Sequence, residues 1–146
     1  KVLTPRLTSW MGDSDASYVY SNTRFVPVPW ISPVLMIKQQ IESATGNTFN
    51  SVLLNYYRDG QDAMGWHSDD EKELGKQPVI ASLSLGGERR FLLRRKDKTE
   101  KSIALHLQHG SLLLMQGVTQ KNFQHALPRS TKQIPARINL TFRKIL

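Results

Sequence analysis

The chain contains no cysteine. That absence excludes disulfide staples and thiolate zinc sites, and it leaves histidines and carboxylates as the metal ligands on offer. No apolar run approaches the roughly 18 residues of a membrane-spanning helix, and no signal-peptide pattern opens the chain. The expectation is an intracellular protein, cytoplasmic if bacterial, with no membrane partner. Acidic residues are scarce as well. Twelve Asp and Glu stand against 20 Lys and Arg, a net charge of +8. An excess of this size attracts a polyanion, with nucleic acid the leading partner class, and it also serves plain solubility. No internal repeat or low-complexity linker divides the chain, and its 146 residues suit one domain, 1–146, with a real core.

Residues 1–30 mix turn formers, aromatics and basic groups, with prolines at 27, 29 and 33 interrupting regular ladders, so short strands or loops are expected there. Ser32 is a predicted N-cap with Pro33 at the first helical position; Val34, Leu35, Ile37, Ile41 and Ala44 recur near helical spacing until Gly46. From residue 51 the pattern turns to strands: 52–57, 79–85, 89–94, 103–107, 111–115 and 138–143. Gly86-Gly87 reads as a hairpin turn, and 97–101 as an exposed turn. One helix among many short strands predicts a mainly β fold with a flanking helix, a double-sheet jelly roll (double-stranded β-helix).

The segment 137–143, Arg-Ile-Asn-Leu-Thr-Phe-Arg, carries the strongest chemical pattern. Side chains alternate along a strand, so Arg137, Asn139, Thr141 and Arg143 share one face and Ile138, Leu140 and Phe142 the other. The two arginines lie roughly 20 Å apart along such a strand, so they could address opposite ends of one elongated anion. A small dicarboxylate suits that wall. His67 and Asp69 are i and i+2 at a strand or its end, and a distant histidine would complete a two-His, one-carboxylate set, the open face typical of non-haem Fe(II). His125, between Phe123 and Leu127, is the candidate; taken alone it is equally a packed core histidine. His106 and His109 flank a predicted turn and receive no role.

Read together, Asn55 to Gly60, Gly65 to Glu71, His125 and the 137–143 strand resemble the AlkB family of Fe(II)- and 2-oxoglutarate-dependent dioxygenases. The match extends over nearly the whole chain and looks closest to the branch of the two human DNA and RNA dealkylating homologues. The resemblance implies an iron triad of His67, Asp69 and His125. It implies a 2-oxoglutarate clamp of Arg137 and Arg143 assisted by Asn55 and Tyr57, with Arg143 on the distal carboxylate and Arg137 beside the metal-chelating end. Away from the family, Asn55 and Tyr57 read as a satisfied polar pair on a strand. The implied activity couples 2-oxoglutarate decarboxylation, with O₂ as co-substrate, to hydroxylation of a base N-methyl group, which leaves as formaldehyde.

A methyl group on a base-pairing edge is hidden in a duplex, so such an enzyme takes single strands or flips the nucleotide. The resemblance implies a nucleic-acid-facing lid at about 1–30, with Tyr20 stacking on the base, Ser21 at the lip and Arg6 on the nucleic-acid side. Tyr18 stays undecided, and both tyrosines also read as half-buried strand aromatics. Glu71 is expected to meet the base's polar edge, and Arg129 and Lys132 to contact the backbone. Phe123 and Asn22 depart from the family's Trp and Gly. The apolar finger with which the related duplex enzyme probes its substrate has no counterpart from Lys1 on, so the expected partner is methylated DNA or RNA, single-stranded more than duplex, bound by a monomer. Two alternatives stand beside this reading: a 2-oxoglutarate oxygenase of protein or lipid, and a non-catalytic binding module on the same scaffold.

Overall fold

The alternation in residues 137–143 organises the architecture. In the computed structural model, which describes residues 4–20 and 22–146, this segment is a strand at the centre of the larger of two facing sheets. The elements in chain order are β1 (Leu7–Gly12), β2 (Tyr18–Tyr20), β3 (Thr23–Phe25), α1 (Ser32–Thr45), β4 (Ser51–Tyr57), β5 (Met64–His67), β6 (Ile80–Gly86), β7 (Arg89–Arg95), β8 (Ile103–Leu107), β9 (Leu112–Met115), α2 (Thr119–Asn122), β10 (Phe123–Leu127) and β11 (Arg137–Arg143). The major sheet has the order β1-β4-β11-β6-β9 and the minor sheet β5-β10-β7-β8, while β2 and β3 form a separate hairpin. Every strand pair in the two sheets is antiparallel, which is the expected jelly roll.

Register carries the two-faced pattern across the major sheet. Leu140 lies opposite Leu54 on one side and Leu83 on the other, and Asn139 opposite Asn55 and Ser84. One face is therefore apolar. It packs under α1, where Val34 and Ile41 meet Val52, Ala81, Leu140 and Phe142. Phe142 is fully buried, its ring against Phe49 at 6.1 Å and Trp30 at 6.5 Å between centroids. The opposite face looks toward the minor sheet. A second core between the sheets joins Tyr57, Ile80, Met115, Phe91, Leu107 and Leu127.

Several local expectations are corrected. Gly86-Gly87 is no hairpin: β6 belongs to the major sheet and β7 to the minor one, so the chain changes layers there. Gly86 takes a left-handed φ of 94°, and side chains at either glycine would strike the backbone carbonyls of Ala136 and Pro135. Ser32 lies inside α1. Ile31 occupies the cap with no side-chain hydrogen bond, and Pro33 alone marks the start; Ala44 of the predicted apolar stripe is exposed. Gly46 ends the helix in the left-handed conformation, its N–H donating to the carbonyl of Glu42. Strands β5 and β10 and short helix α2 are additional to the predicted elements.

Candidate active site

Between the sheets opens a cavity of about 420 Å³, walled by the polar face of β11 and by residues of β4, β5, β7 and β10. Two strand ends bring its metal-binding set together. His67 closes β5 and lies opposite His125 of β10 in the ladder, with ring centroids 4.2 Å apart. Asp69 follows two residues beyond His67. The donor atoms of His67, Asp69 and His125 all lie within 4.8 Å of one another, a group able to hold one metal ion. His67 Nδ1 is 2.9 Å from the Gly65 carbonyl. A carbonyl only accepts, so Nδ1 carries a proton, and Nε2 is the ring nitrogen left to face a metal. His125 Nε2 is 3.7 Å from Asp69 Oδ2. Its ring stacks on Phe91, and burial, reinforced by His67 and Arg143 against the pull of Asp69, holds its pKa down to about 4. The imidazole is therefore neutral at physiological pH, the form that ligates metal.

The two arginines of β11 occupy opposite ends of this wall. Arg143 Nη2 donates to Asp69 Oδ1 at 2.6 Å. Arg137 lies six residues back, where Nη2 donates to Ser84 Oγ at 2.8 Å and the guanidinium sits 5.3 Å from the Tyr57 ring centre. The expected division is thus reversed: Arg143 is beside the metal-binding set and Arg137 at the far end. Spacing alone gave two ends and no polarity. Burial lowers the Arg137 pKa to about 10, so it stays charged at neutral pH, and burial raises that of Tyr57. Asn139 donates to Ser82 Oγ and Thr141 donates to Asn139 Oδ1, each at 2.7 Å, leaving the row between the arginines internally satisfied. Arg137 Nε and Arg143 Nε are buried and have no partner among the described residues. Buried donors of that kind call for an anion.

Other expected residues are distributed unevenly. Asn55 and Tyr57 both line the cavity. Arg6, expected on the nucleic-acid side, also lines it, donating from Nε to Asn55 Oδ1 at 2.8 Å and from Nη1 to the Ala63 carbonyl. Exposed Glu71 stands at the rim. Tyr18 enters the lining with Trp10 and Phe25, its ring edge-on to Trp10 and stacked on Phe25, both at 5.4 Å. Ser21 and the Tyr20 side chain lie outside the described residues. Arg129 and Lys132 are exposed and away from the cavity, Arg129 donating to the Gln61 carbonyl at 3.1 Å. Three residues had no role assigned from the sequence. Arg89, fully buried, donates to the carbonyls of Asp59, Asp62 and Pro128 and sits 5.5 Å from the Tyr57 ring. Ser68 and Gln120 tie down the residues around Asp69. No local signal marks any of them, because each partner is distant in sequence.

The pattern of the 2OG-Fe(II) oxygenase superfamily matches residues 2–143. The chain belongs to that superfamily. Human alpha-ketoglutarate-dependent dioxygenase alkB homolog 3 is 44% identical over 150 residues, covering 97% of this chain and 52% of that protein. Human DNA oxidative demethylase ALKBH2 is 43% identical over 149 residues, covering 97% of this chain and 57% of that protein. The chain spans about half the length of such relatives, and the AlkB resemblance read in its sequence stands. The solved structure of OsALKBH1 shares its fold, with a TM-score of 0.69 at 20% identity over 94% of this chain and 77% of that one. The cofactors of the superfamily are Fe(II) and 2-oxoglutarate, and the residues present fit both. A two-His, one-carboxylate set suits Fe(II), and two guanidiniums with unpartnered donors suit a dicarboxylate. Among the described residues, no helix is long and apolar enough to cross a membrane.

Proposed function

We propose that this chain is a nucleic-acid demethylase that oxidatively removes N-methyl groups from bases of DNA or RNA, as in repair of alkylation damage. The observation that carries the reading is one cavity joining three features: the His67, Asp69 and His125 set, the two arginines of β11, and a mouth of stacked aromatics. The names of the relatives support the same chemistry and do not favour a protein or lipid substrate.

His67, Asp69 and His125 would hold Fe(II). Arg143, already on Asp69, would take the carboxylate end of 2-oxoglutarate next to the metal. Arg137, with Tyr57 and Ser84 beside it, would take the far carboxylate by its planar fork, and Asn55 would steady the co-substrate through its bond to Arg6. Bound Fe(II) and 2-oxoglutarate supply the oxidising chemistry: O₂ is consumed, 2-oxoglutarate becomes succinate and CO₂, and the N-methyl carbon gains a hydroxyl and leaves as formaldehyde. The chain's own work is positioning. Phe91 and Leu127 would keep water from the inner wall. The segment 1–30 would act as the lid of a single 1–146 domain, with Trp10, Tyr18 and Phe25 offering faces to an extruded base and Tyr20 and Ser21 at its lip. Glu71 would meet the base's polar edge, and Arg129 and Lys132 the phosphates. The substrate would be a methylated single strand in preference to duplex, bound by a monomer.

The test is a panel of methylated and unmethylated oligonucleotides, single- and double-stranded, scored for formaldehyde. Release that depends on Fe(II), 2-oxoglutarate and the methyl group is expected. Succinate production with no formaldehyde from any member of the panel would reject the substrate assignment.

A further inference from the structure

We propose that Gln120 is a positioning residue for the metal-binding carboxylate: its buried amide holds the backbone of Asp69 and so sets where that carboxylate points. The inference rests on reading His67, Asp69 and His125 as metal ligands.

Gln120 sits in α2, directly before the strand that carries His125, and is only 1% exposed. Its Oε1 accepts the Asp69 N–H at 2.8 Å, and its Nε2 points at Met115 Sδ at 3.6 Å. A backbone N–H only donates, so the amide can face Asp69 in one orientation alone. Asp69 needs this acceptor. It lies past the end of β5, where no ladder partner serves its N–H, and it is itself buried. A methionine or leucine at position 120 would fill the same space and leave that donor bare.

The tie is one of three that converge on the loop. Ser68 Oγ donates to the Phe123 carbonyl at 2.6 Å, so consecutive residues 68 and 69 are both fastened to the segment 120–123. Arg143 holds Asp69 Oδ1 from another element. With the backbone fixed at one end and one carboxylate oxygen at the other, Oδ2 is left toward His125 Nε2. Gln120 touches neither metal nor substrate in this arrangement. It makes the acid and the second histidine parts of one mechanical unit, because the segment that orients Asp69 also delivers His125.

The experiment uses Co(II) alone as the probe, without 2-oxoglutarate or nucleic acid, on wild type, Gln120→Met and, as a control for the far end of the amide, Met115→Leu. Metal affinity is read by calorimetry, ligand geometry by the visible absorption of bound Co(II), and metal-free stability by thermal unfolding. Gln120→Met is expected to bind Co(II) about 10- to 100-fold more weakly with an altered spectrum, while Met115→Leu stays within about twofold of wild type. If Gln120→Met loses metal-free stability but keeps wild-type affinity and spectrum, Gln120 only fills the core and the proposal is overturned. Wild type that fails to bind Co(II) at all would overturn the triad reading and this proposal with it, a result distinct from the first. Should Gln120→Met not fold, amide hydrogen exchange at Asp69 in metal-free wild type decides. Slow exchange supports the clamp, and exchange at the rate of an exposed loop amide overturns it.

Discussion

Arg143 and Asp69 are joined by a short hydrogen bond, Nη2 to Oδ1 at 2.6 Å, with the carboxylate side chain only 3% exposed and the guanidinium 19%. The bond ties the arginine face of β11, proposed to hold the co-substrate, to the candidate metal site, so a change at Arg143 should reach both. Arg143→Lys keeps the charge and loses the planar fork. A hydrogen bond to a charged group is worth roughly 1.5–3 kcal/mol, so the 2-oxoglutarate KM should rise about 10- to 100-fold. Wild-type dependence of succinate formation on 2-oxoglutarate in this variant would place the clamp elsewhere.

Arg137, at the far end, predicts a different profile. Arg137→Gln should weaken binding of 2-oxoglutarate by about 10- to 100-fold and leave pyruvate, a 2-oxo acid with no far carboxylate, nearly unaffected. Arg143→Lys should weaken both. Competition binding with the two acids measures the contrast. Equal losses for the two variants on the two acids would dismiss the assignment of ends.

Replacing His67, Asp69 or His125 with Ala should abolish iron-dependent turnover, because an open two-His, one-carboxylate site has no ligand to spare. The antiparallel ladders of both sheets should survive, read as an unchanged far-UV circular dichroism spectrum. Normal succinate release by Asp69→Ala would refute the metal set.

Phe142 reports on the opposite face of the same strand. Its fully buried ring contacts Phe49 and Trp30 on the helix side, so Phe142→Ala should cost about 3–5 kcal/mol in urea unfolding. Its side chain looks away from the cavity, so Co(II) affinity of the folded fraction should stay within about twofold of wild type. A large affinity loss would show that the two faces of β11 are coupled.

Base stacking and phosphate contact separate by salt. Tyr18→Ala should weaken binding of a methylated single strand by roughly 1–3 kcal/mol at every salt concentration, whereas Arg129→Ala with Lys132→Ala should flatten the log–log salt slope by about 1 to 2. Binding titrations over a salt series read both. A flattened slope in Tyr18→Ala would remove it from the stacking wall.

What the sequence disclosed follows the range of each signal. The period of two in 137–143 was readable because alternation is a property of one strand, and it correctly divided the apolar row from the arginine row. Gly86-Gly87 misled for the same reason: two glycines announce a sharp change of direction, and only the sheet pairings tell whether the chain returns to its own sheet or crosses to another. The order of the arginines depended on where β5 and β10 deliver the histidines, a relation between strands. Gln120 and Arg89 stayed hidden because their partners lie 51 and 27 to 39 residues away in the chain, and Arg6, read as facing nucleic acid, turns to the cavity for partners 49 to 57 residues away.

The pairing of His125 with His67 also limits how the sequence can drift. Within β10 the ladder fixes parity: Phe123 opposes Arg95, and His125 opposes Leu93 on one side and His67 on the other. A single residue inserted or deleted between 120 and 125 would turn the histidine to the outer face and pull the Gln120 amide out of reach of Asp69. The exposed turn at 97–101 carries no such constraint, so lineages of this chain can lengthen there freely while the short stretch before His125 keeps its count.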